Sequence, residues 1–542
     1  MRKKRDNRRL STSAAAIGRA KALQRNAKPT SNAETAWQPW LHRDARVKLL
    51  DAELNPNINI DKDTEVTLRV ERATLLAQLG RNLEARTDYL RVIELEPSHL
   101  ENLLGLGKLL VATGKRKAAE MVYAEAVKYH PYDVVCRVNL GSVLLEGGNP
   151  AQARMHYEEA LRMDPDLPQA HGGMYYALMQ LGEPEAAKMH QRKSFGKNSL
   201  FVNPYRGASQ PVPVVLLVSS TGGGTPIEKL IDDRIFETYV VVADFYDKKK
   251  PLPAHKLVVN GIGDIDVAME ALDAAESMLA FTSAPVLNLP AAVRATGRSE
   301  NAARLGRLPG VIAPKTSIFP RALLASPDGL AALAASGFTF PLLFRVPGFH
   351  MGMHFVKVDS PVALTSAVTP LPGFGNPEAE VLAIEYLDAR GAGGCARKYR
   401  VMMVGGELYP LHLAISEDWK IHYFSADMAD RPDHRAEEAK FLADMPGVLG
   451  SKAMTALSSI QAALGLDYGG IDFALNQRGE VLLFEANATM VVEQPCEDEL
   501  WDYRRAAVSR IHQAVQNLLI KSAGALSCAL PVPDSVLALA RV

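Results

Sequence analysis

Between residues 66 and about 200 the apolar positions recur at helical spacing, and the whole pattern repeats every 34 residues. Gly80, Gly114, Gly148 and Gly182 mark one position of the period, and Ala85, Ala119, Ala153 and Ala187 another. Tyr89, Tyr123 and Tyr157 hold a third, which Gln191 breaks. Pro97, Pro131 and Pro165 close successive units, and Ser199 stands where a fourth Pro would fall. Each unit therefore predicts a helix, a tight turn at the Gly, a second helix and a Pro stop. The Ala lets two helices approach, and the Tyr fills the space between them. One such unit cannot bury its apolar stripe alone, whereas stacked units share a core. Residues 36–54, "AWQPWLHRDARVKLLDAEL", predict a capping helix ahead of the stack.

After a stretch rich in Pro and Gly (203–213) the pattern changes to short apolar runs. "VVLLVSS", "TYVVVADF" and "HKLVVNGIGD" read as buried strands separated by helical stretches, which predicts a parallel sheet with helices against it. The "TGGGTP" after the first strand fits either a tight turn or a phosphate-holding loop, and it lacks the spacing of a dinucleotide fingerprint. Residues 338–358 read as strand, Gly-containing loop and strand, and residues 379–415 as three strands broken by glycines. Residues 471–490, "IDFALNQRGEVLLFEANATM", predict a hairpin whose turn spans Asn476–Gly479. A loop centred on Arg478 and Gly479 sets Asp472 directly across from Glu485, with Asn487 on the same face. Two facing carboxylates repel each other. A divalent cation would remove that repulsion, and two carboxylates with one amide oxygen suit Mg²⁺ or Mn²⁺. The alternative is an edge hairpin whose polar residues face water, against which the apolar Leu482, Leu483 and Phe484 argue.

The repeat resembles the tetratricopeptide repeat in both period and consensus. That resemblance implies a superhelix with a concave groove for a protein or peptide partner; a spacer or a surface between copies is the plainer alternative.

Composition changes this picture little. With 542 residues, 47% of them hydrophobic and 23% charged, the chain has room for several cores. Net charge is zero, so no nucleic-acid partner is expected. Residues 1–28 are the exception, with ten Lys or Arg and one acid; they read as a solvated tail, with a nucleic-acid or anionic-membrane contact as the sharper alternative and some likeness to a transit peptide. No apolar run is long enough to span a membrane. Cys136, Cys395, Cys496 and Cys528 are far apart and show no metal or disulfide spacing, which fits a cytoplasmic protein.

Residues 212–522 resemble the ATP-grasp superfamily, in particular its glutathione-synthetase-like and D-alanine-ligase-like carboxylate–amine ligases. Asp472, Glu485 and Asn487 match its metal-binding signature of Asp, a dozen residues, then Glu-x-Asn. Asn288, Pro290, Arg298, Leu308, Gly310, Pro314 and Thr316 follow another of its stretches, with Arg298 at the phosphate-binding Lys. Arg345 falls on the second such Lys. Guanidinium keeps the charge of Lys but not its shape. Gly348 to Gly352 resemble the loop that closes over phosphates, and Ile384 to Leu387, with Glu385 and Tyr386 between, the adenine hinge. Arg400 resembles the Arg that steadies the transferred phosphoryl group, and Lys398 stands where an acid is usual.

The resemblance implies a helical repeat array followed by an α/β ATP-grasp fold, a Rossmann-like first domain plus two α+β subdomains. The expected boundaries are a basic tail (1–35), capping helix (36–65), four repeat units (66–201), linker (202–213), first α/β domain (214–305), ATP-grasp subdomains (306–380 and 381–523) and an apolar tail (524–542). It further implies ATP and Mg²⁺ (or Mn²⁺) as cofactors and an amide-forming ligase acting through an acyl phosphate on carboxylate and amine substrates, small or peptidic. Lys420 and His422 are candidates to face them. A scaffold whose α/β half binds nucleotide without turnover is the alternative, and oligomeric state, including a dimer through the α/β half, is left open.

Overall fold

The computed structural model describes residues 38–524 apart from 208, 248, 348–353, 372–378, 392, 422, 424–425 and 496–497. Helix α1 (Gln38–Glu53) precedes four helix pairs: α2 (Lys62–Gln78) with α3 (Asn82–Leu95), α4 (Leu100–Ala112) with α5 (Arg116–Tyr129), α6 (Val134–Glu146) with α7 (Pro150–Met163), and α8 (Pro168–Gln180) with α9 (Pro184–Phe195). The same turn is built four times. Gly80, Gly114, Gly148 and Gly182 take φ of +79°, +74°, +79° and +78°, a left-handed conformation that favours glycine. The next residue's amide then reaches back to the preceding helix: Arg81 to the Leu76 carbonyl, Lys115 to Leu110, Asn149 to Leu144 and Glu183 to Leu178, at 2.9, 2.8, 2.9 and 2.9 Å. That six-to-one bond caps carbonyls the helix end would otherwise strand.

Tyr89, Tyr123 and Tyr157 are buried between helices, and the repeat makes room for them with small residues. A Cβ on Gly141 would stand 2.8 Å from the Tyr157 ring, and one on Gly107 would run into Tyr123. The fourth unit exchanges the two partners. Tyr175 occupies the position held by Ala73, Gly107 and Gly141, and Gln191 that of the Tyr. Freed from ring packing, the Gln191 amide donates to Ser220 Oγ at 2.7 Å, and the neighbouring Tyr176 hydroxyl donates to the Ser220 carbonyl at 3.0 Å. The break in the repeat is thus the junction with the α/β half.

Among the described residues that half contains three sheets. The first joins β1 (Leu200–Asn203), β2 (Val212–Val218), β3 (Phe236–Val242), β4 (Leu257–Asn260) and β5 (Val286–Leu287) in the order β1-β3-β2-β4-β5, parallel except for β1. Next along the chain come β6 (Val311–Ile312), β7 (Thr316–Pro320), β8 (Leu342–Arg345), β9 (Phe355–Val358), β10 (Glu380–Glu385), β11 (Ala396–Val404), β12 (Glu407–Ser416), β13 (Tyr468–Leu475) and β14 (Val481–Asn487). The second sheet is antiparallel, β7-β10-β8-β9, and the third runs β12-β11-β13-β14-β6, with only β6 parallel to its neighbour. Pairing crosses the expected boundaries. β1 lies in the stretch expected to end the repeats and open the linker, β6 pairs outside the 306–380 block, and β10, assigned largely to 381–523, belongs to the second sheet.

Among the described residues nine further α-helices pack on these sheets: α10 (Ile265–Leu279), α11 (Pro290–Arg294), α12 (Arg298–Leu305), α13 (Arg321–Ala325), α14 (Gly329–Ala335), α15 (Leu364–Val368), α16 (Pro432–Ala443), α17 (Met445–Leu464) and α18 (Arg505–Ser522). The first and third sheets share two cores, whereas Phe319, Leu333, Phe338, Leu342, Phe344 and Val381 give the second sheet its own. In β11 the alternation assigns faces. Tyr399, Val401 and Met403 join the core that holds α16 and α17, while Met402 and Val404 join the one that holds α18. Lys398 and Arg400 share the parity of the second set. The expected glycine loop, Gly348 and Gly352 included, lies outside the described residues, as do the basic tail, His422 and residues 525–542. Among the described residues no helix is long and apolar enough to cross a membrane.

Candidate functional site

A row of polar side chains runs across the third sheet. Pairing sets His412 of β12 beside Arg400 of β11, Arg400 beside Asp472 of β13, and Asp472 beside Glu485 of β14. Directly paired residues on adjacent strands share a face. The Asp472–Glu485 pairing arises through two offsets that cancel. The hairpin loop is Gln477–Gly479, one residue longer than a loop centred on Arg478 and Gly479, with Asn476 N–H donating to the Glu480 carbonyl at 3.1 Å and Gly479 at φ +70°. Pairs near the loop are therefore shifted, Leu475 opposite Val481, and a bulge at Phe484 restores the register.

The two carboxylates do not meet unpaired. Arg400 donates to both oxygens of Asp472, at 2.6 and 2.7 Å, and Lys398 Nζ lies 3.3 Å from one of them. Asp472 is 3% exposed. Burial by itself would raise its carboxyl, but Arg400 and then Lys398 outweigh that and hold it below the ordinary carboxylate range. Glu485 accepts from Arg298 Nη2 and from the Asn487 amide, both at 3.0 Å. Burial opposes its ionisation too, and Arg298 followed by Arg345 brings it to about 2. Arg298 also donates to Asp266 at 2.6 Å. Arg345, at the end of β8, has its affinity for a proton reduced by burial and by Arg298. Lys398, Arg298, Arg400 and Glu485 keep 14, 17, 21 and 28% side-chain exposure, so each is only partly accessible to solvent.

The structure thus brings together Arg298, Arg345, Arg400, Asp472, Glu485 and Asn487, each cation carried by a different part of the fold. The hinge residues stand apart. Glu385 lies three residues beyond Leu382, the partner of Arg345, which is roughly 10 Å along a strand. Its N–H donates to the Lys315 carbonyl at 2.9 Å, and its carboxylate accepts from Lys315 N–H at 3.0 Å. Lys357 Nζ sits 4.5 Å from the centre of the Tyr386 ring, and Leu387 packs with Ala474 and Leu482 of the third sheet. The hinge segment is therefore where the chain crosses between the second and third sheets.

As hard oxygen donors, Asp472, Glu485 and Asn487 suit Mg²⁺ by type. Two contacts qualify the geometry. The Asn487 amide oxygen accepts from Thr489 N–H and Oγ, both at 2.9 Å, and both Asp472 oxygens are engaged by Arg400. Among the described residues no group of three or more His, Cys, Asp or Glu is placed to hold a metal. The cation expected to relieve carboxylate repulsion thus has protein counterparts in Arg298, Lys398 and Arg400.

Sequence reasoning passed over Asp264, Asp266, Lys357, His412 and Arg504. His412 could have been found, as the single polar residue inside the apolar run "LHLAI". Arg504, in a short 3-10 turn before α18, carries no local signal.

The sequence profile of the tetratricopeptide repeat matches residues 70–134 and 144–188, so the chain carries tetratricopeptide repeats. Among solved structures, MamA from Desulfovibrio magneticus RS-1 is 20% identical over 30% of this chain and 90% of that one, with a TM-score of 0.25. Two other MamA structures are 19% and 18% identical, covering 29% and 28% of this chain and 80% and 84% of theirs, both at a TM-score of 0.25. No protein with a curated description matches.

Proposed function

We propose, taking the tetratricopeptide array as the premise, that the repeats recruit a protein or peptide partner and that the α/β half is an ATP- and Mg²⁺-dependent carboxylate–amine ligase. The observation that carries this reading is the meeting of Arg298, from the start of α12, and Arg345, from the end of β8, with Arg400, Asp472 and Glu485 of the third sheet. Phosphoryl transfer asks a protein mainly for positioning and charge neutralisation. Arg298, while bonded to Asp266 and Glu485, and Arg345 would supply positive charge to phosphate oxygens. Arg400 is held rigid by two bonds to Asp472, so its charge stands ready without reorganisation. A divalent cation on Asp472, Glu485 and Asn487 would neutralise phosphate charge. In the overall reaction a substrate carboxylate takes the terminal phosphoryl group and ADP leaves. An amine then attacks the acyl carbon, giving the amide, phosphate and a proton.

A second reading has its own support: a scaffold that binds nucleotide without turnover. Asp472 is already matched by two cations, and Arg stands at both expected Lys positions.

Calorimetric titration with AMPPNP and Mg²⁺, followed by ADP release across a panel of carboxylates and amines, separates the readings. The expected result is binding that weakens about tenfold or more in Arg298→Met, the loss of one charge-assisted contact. ADP release should depend on both substrates. Binding without turnover supports the scaffold. Absence of binding at about 1 mM nucleotide removes both.

A further inference from the structure

Beyond the row described above, the third sheet ends in a second charged cluster. Glu438 of α16 is fully buried. Its carboxylate accepts from Leu413 N–H at 3.3 Å, Tyr423 Oη at 3.1 Å and Tyr503 Oη at 2.5 Å, and Arg504 Nε lies 3.4 Å away. The Arg504 guanidinium lies over the Tyr423 ring, 4.1 Å from its centre, and the His412 ring packs on the same Tyr423 at 4.7 Å.

Two groups in this cluster have capacity left over. Arg504 has a side chain only 9% exposed, yet beyond its Glu438 ion pair and its ring contact its buried Nε makes no hydrogen bond among the described residues. His412 is 6% exposed, and its buried Nδ1 likewise makes none. Buried groups of this kind normally have partners, and each exception calls for a reason. Charge adds a second argument. Lys398, Arg400 and Arg504 act on His412 as cations, and burial with their field keeps its imidazole neutral. Against these three stand Asp472 and Glu438, and burial raises the Glu438 carboxyl above its ordinary range, which weakens its charge. The opposite end of the row has the reverse imbalance, with Arg298 and Arg345 facing Glu485, Asp264 and Asp266. Among the described residues the row is polarised, with cations in excess at the His412 end and carboxylates in excess at the Glu485 end.

We infer that Arg504, His412 and Lys398 form an anchor for a carboxylate group of the substrate. This rests on the ligase reading for its role but not for its existence. A carboxylate brings negative charge to that excess of cations, and its two oxygens match the flat fork of an arginine. The Tyr423 ring backs that fork. A nucleotide phosphate shares this chemistry, and the test separates the two sources.

Thermal unfolding of the full chain is followed with acetate, succinate and L-glutamate as probes, each against its neutral amide, alongside AMPPNP–Mg²⁺ titration. At least one carboxylate should raise the melting temperature where its amide does not. Arg504→Met should raise the half-saturating concentration of that carboxylate about tenfold or more, as loss of a charge-assisted contact does, and leave AMPPNP affinity within about twofold. Arg504→Lys should recover part of the loss. His412→Asn, which leaves the Glu438 pair intact, gives the same readout should Arg504→Met fail to fold. No difference between carboxylates and amides overturns the anchor. Equal loss of AMPPNP and carboxylate binding in Arg504→Met makes this a phosphate subsite and also overturns it. If nucleotide never binds but the carboxylate effect persists and depends on Arg504, the anchor stands and the ligase reading falls.

Discussion

Asp472 is 3% exposed and carries two cations, Arg400 by two bonds and Lys398 at 3.3 Å. Removing its charge strands a guanidinium and an ammonium in a poorly hydrated place, which costs more than the pair contributes. Asp472→Asn should therefore destabilise the fold by about 3–5 kcal/mol in denaturant titration, whereas a joint Asp472→Leu, Arg400→Met change should recover much of the loss. Equal destabilisation by both variants would count against the ion-pair account. At this scale the sequence showed the carboxylates and that they face each other, but not the longer loop and the bulge at Phe484 that bring this about, nor their partners. Arg400 and Asp472 are 72 positions apart, and Arg298 and Glu485 are 187, so only strand pairing and sheet packing could match them.

Among elements, the repeat was the most legible part of the chain because each unit restates one local solution. A glycine with positive φ ends one helix, a small residue admits a Tyr ring, and both requirements follow from covalent geometry and near neighbours. The fourth unit departs from this, and its last helix pair holds a titratable contact. His171 Nε2 lies 2.9 Å from the Pro165 carbonyl and so serves as the donor, which leaves its Nδ1 to accept from His190 Nδ1 at 2.8 Å. Burial, and then His171 itself, lowers the His190 value to about 4. An unfolded His takes up its proton near pH 6.5. Between those values the unfolded chain binds the extra proton, so stability is full above about 6.5 and falls with pH until the folded ring protonates. Unfolding of the wild type should lose up to about 1.4 kcal/mol per pH unit between pH 6.5 and 4, and His190→Asn should flatten that slope. An unchanged slope in the variant would place the titrating group elsewhere.

For the molecule as a whole, the repeat array contacts the α/β half at both ends. Gln191 and Tyr176 hold Ser220 from the fourth unit, and Arg206, in the connection after β1, donates to the Gln78 carbonyl at the end of α2 at 3.0 Å. Arg206 is itself fixed by two bonds to Asp233, at 2.8 and 2.9 Å. An array joined at two distant points moves with its neighbour. Arg206→Ala should leave the cores intact and cost about 1–3 kcal/mol, the loss of charge-assisted hydrogen bonds. In hydrogen exchange the faster amides should cluster in residues 204–211 and at the end of α2. Uniform exchange across the repeats would instead mean that the array is held by its own packing alone.

The sequence by itself determined the local periods, the helix turns and the hairpin face that carries Asp472, Glu485 and Asn487, since these depend on residues within a few turns or one strand pair. Tertiary structure alone decided which cations meet those carboxylates, that β6 and β10 leave the blocks in which chain order puts them, and that Arg504 and His412 converge on Tyr423. The reason is range. Period and turn chemistry act over a few residues, whereas charge compensation in a buried site is settled by whatever the folded sheets bring within a few ångströms.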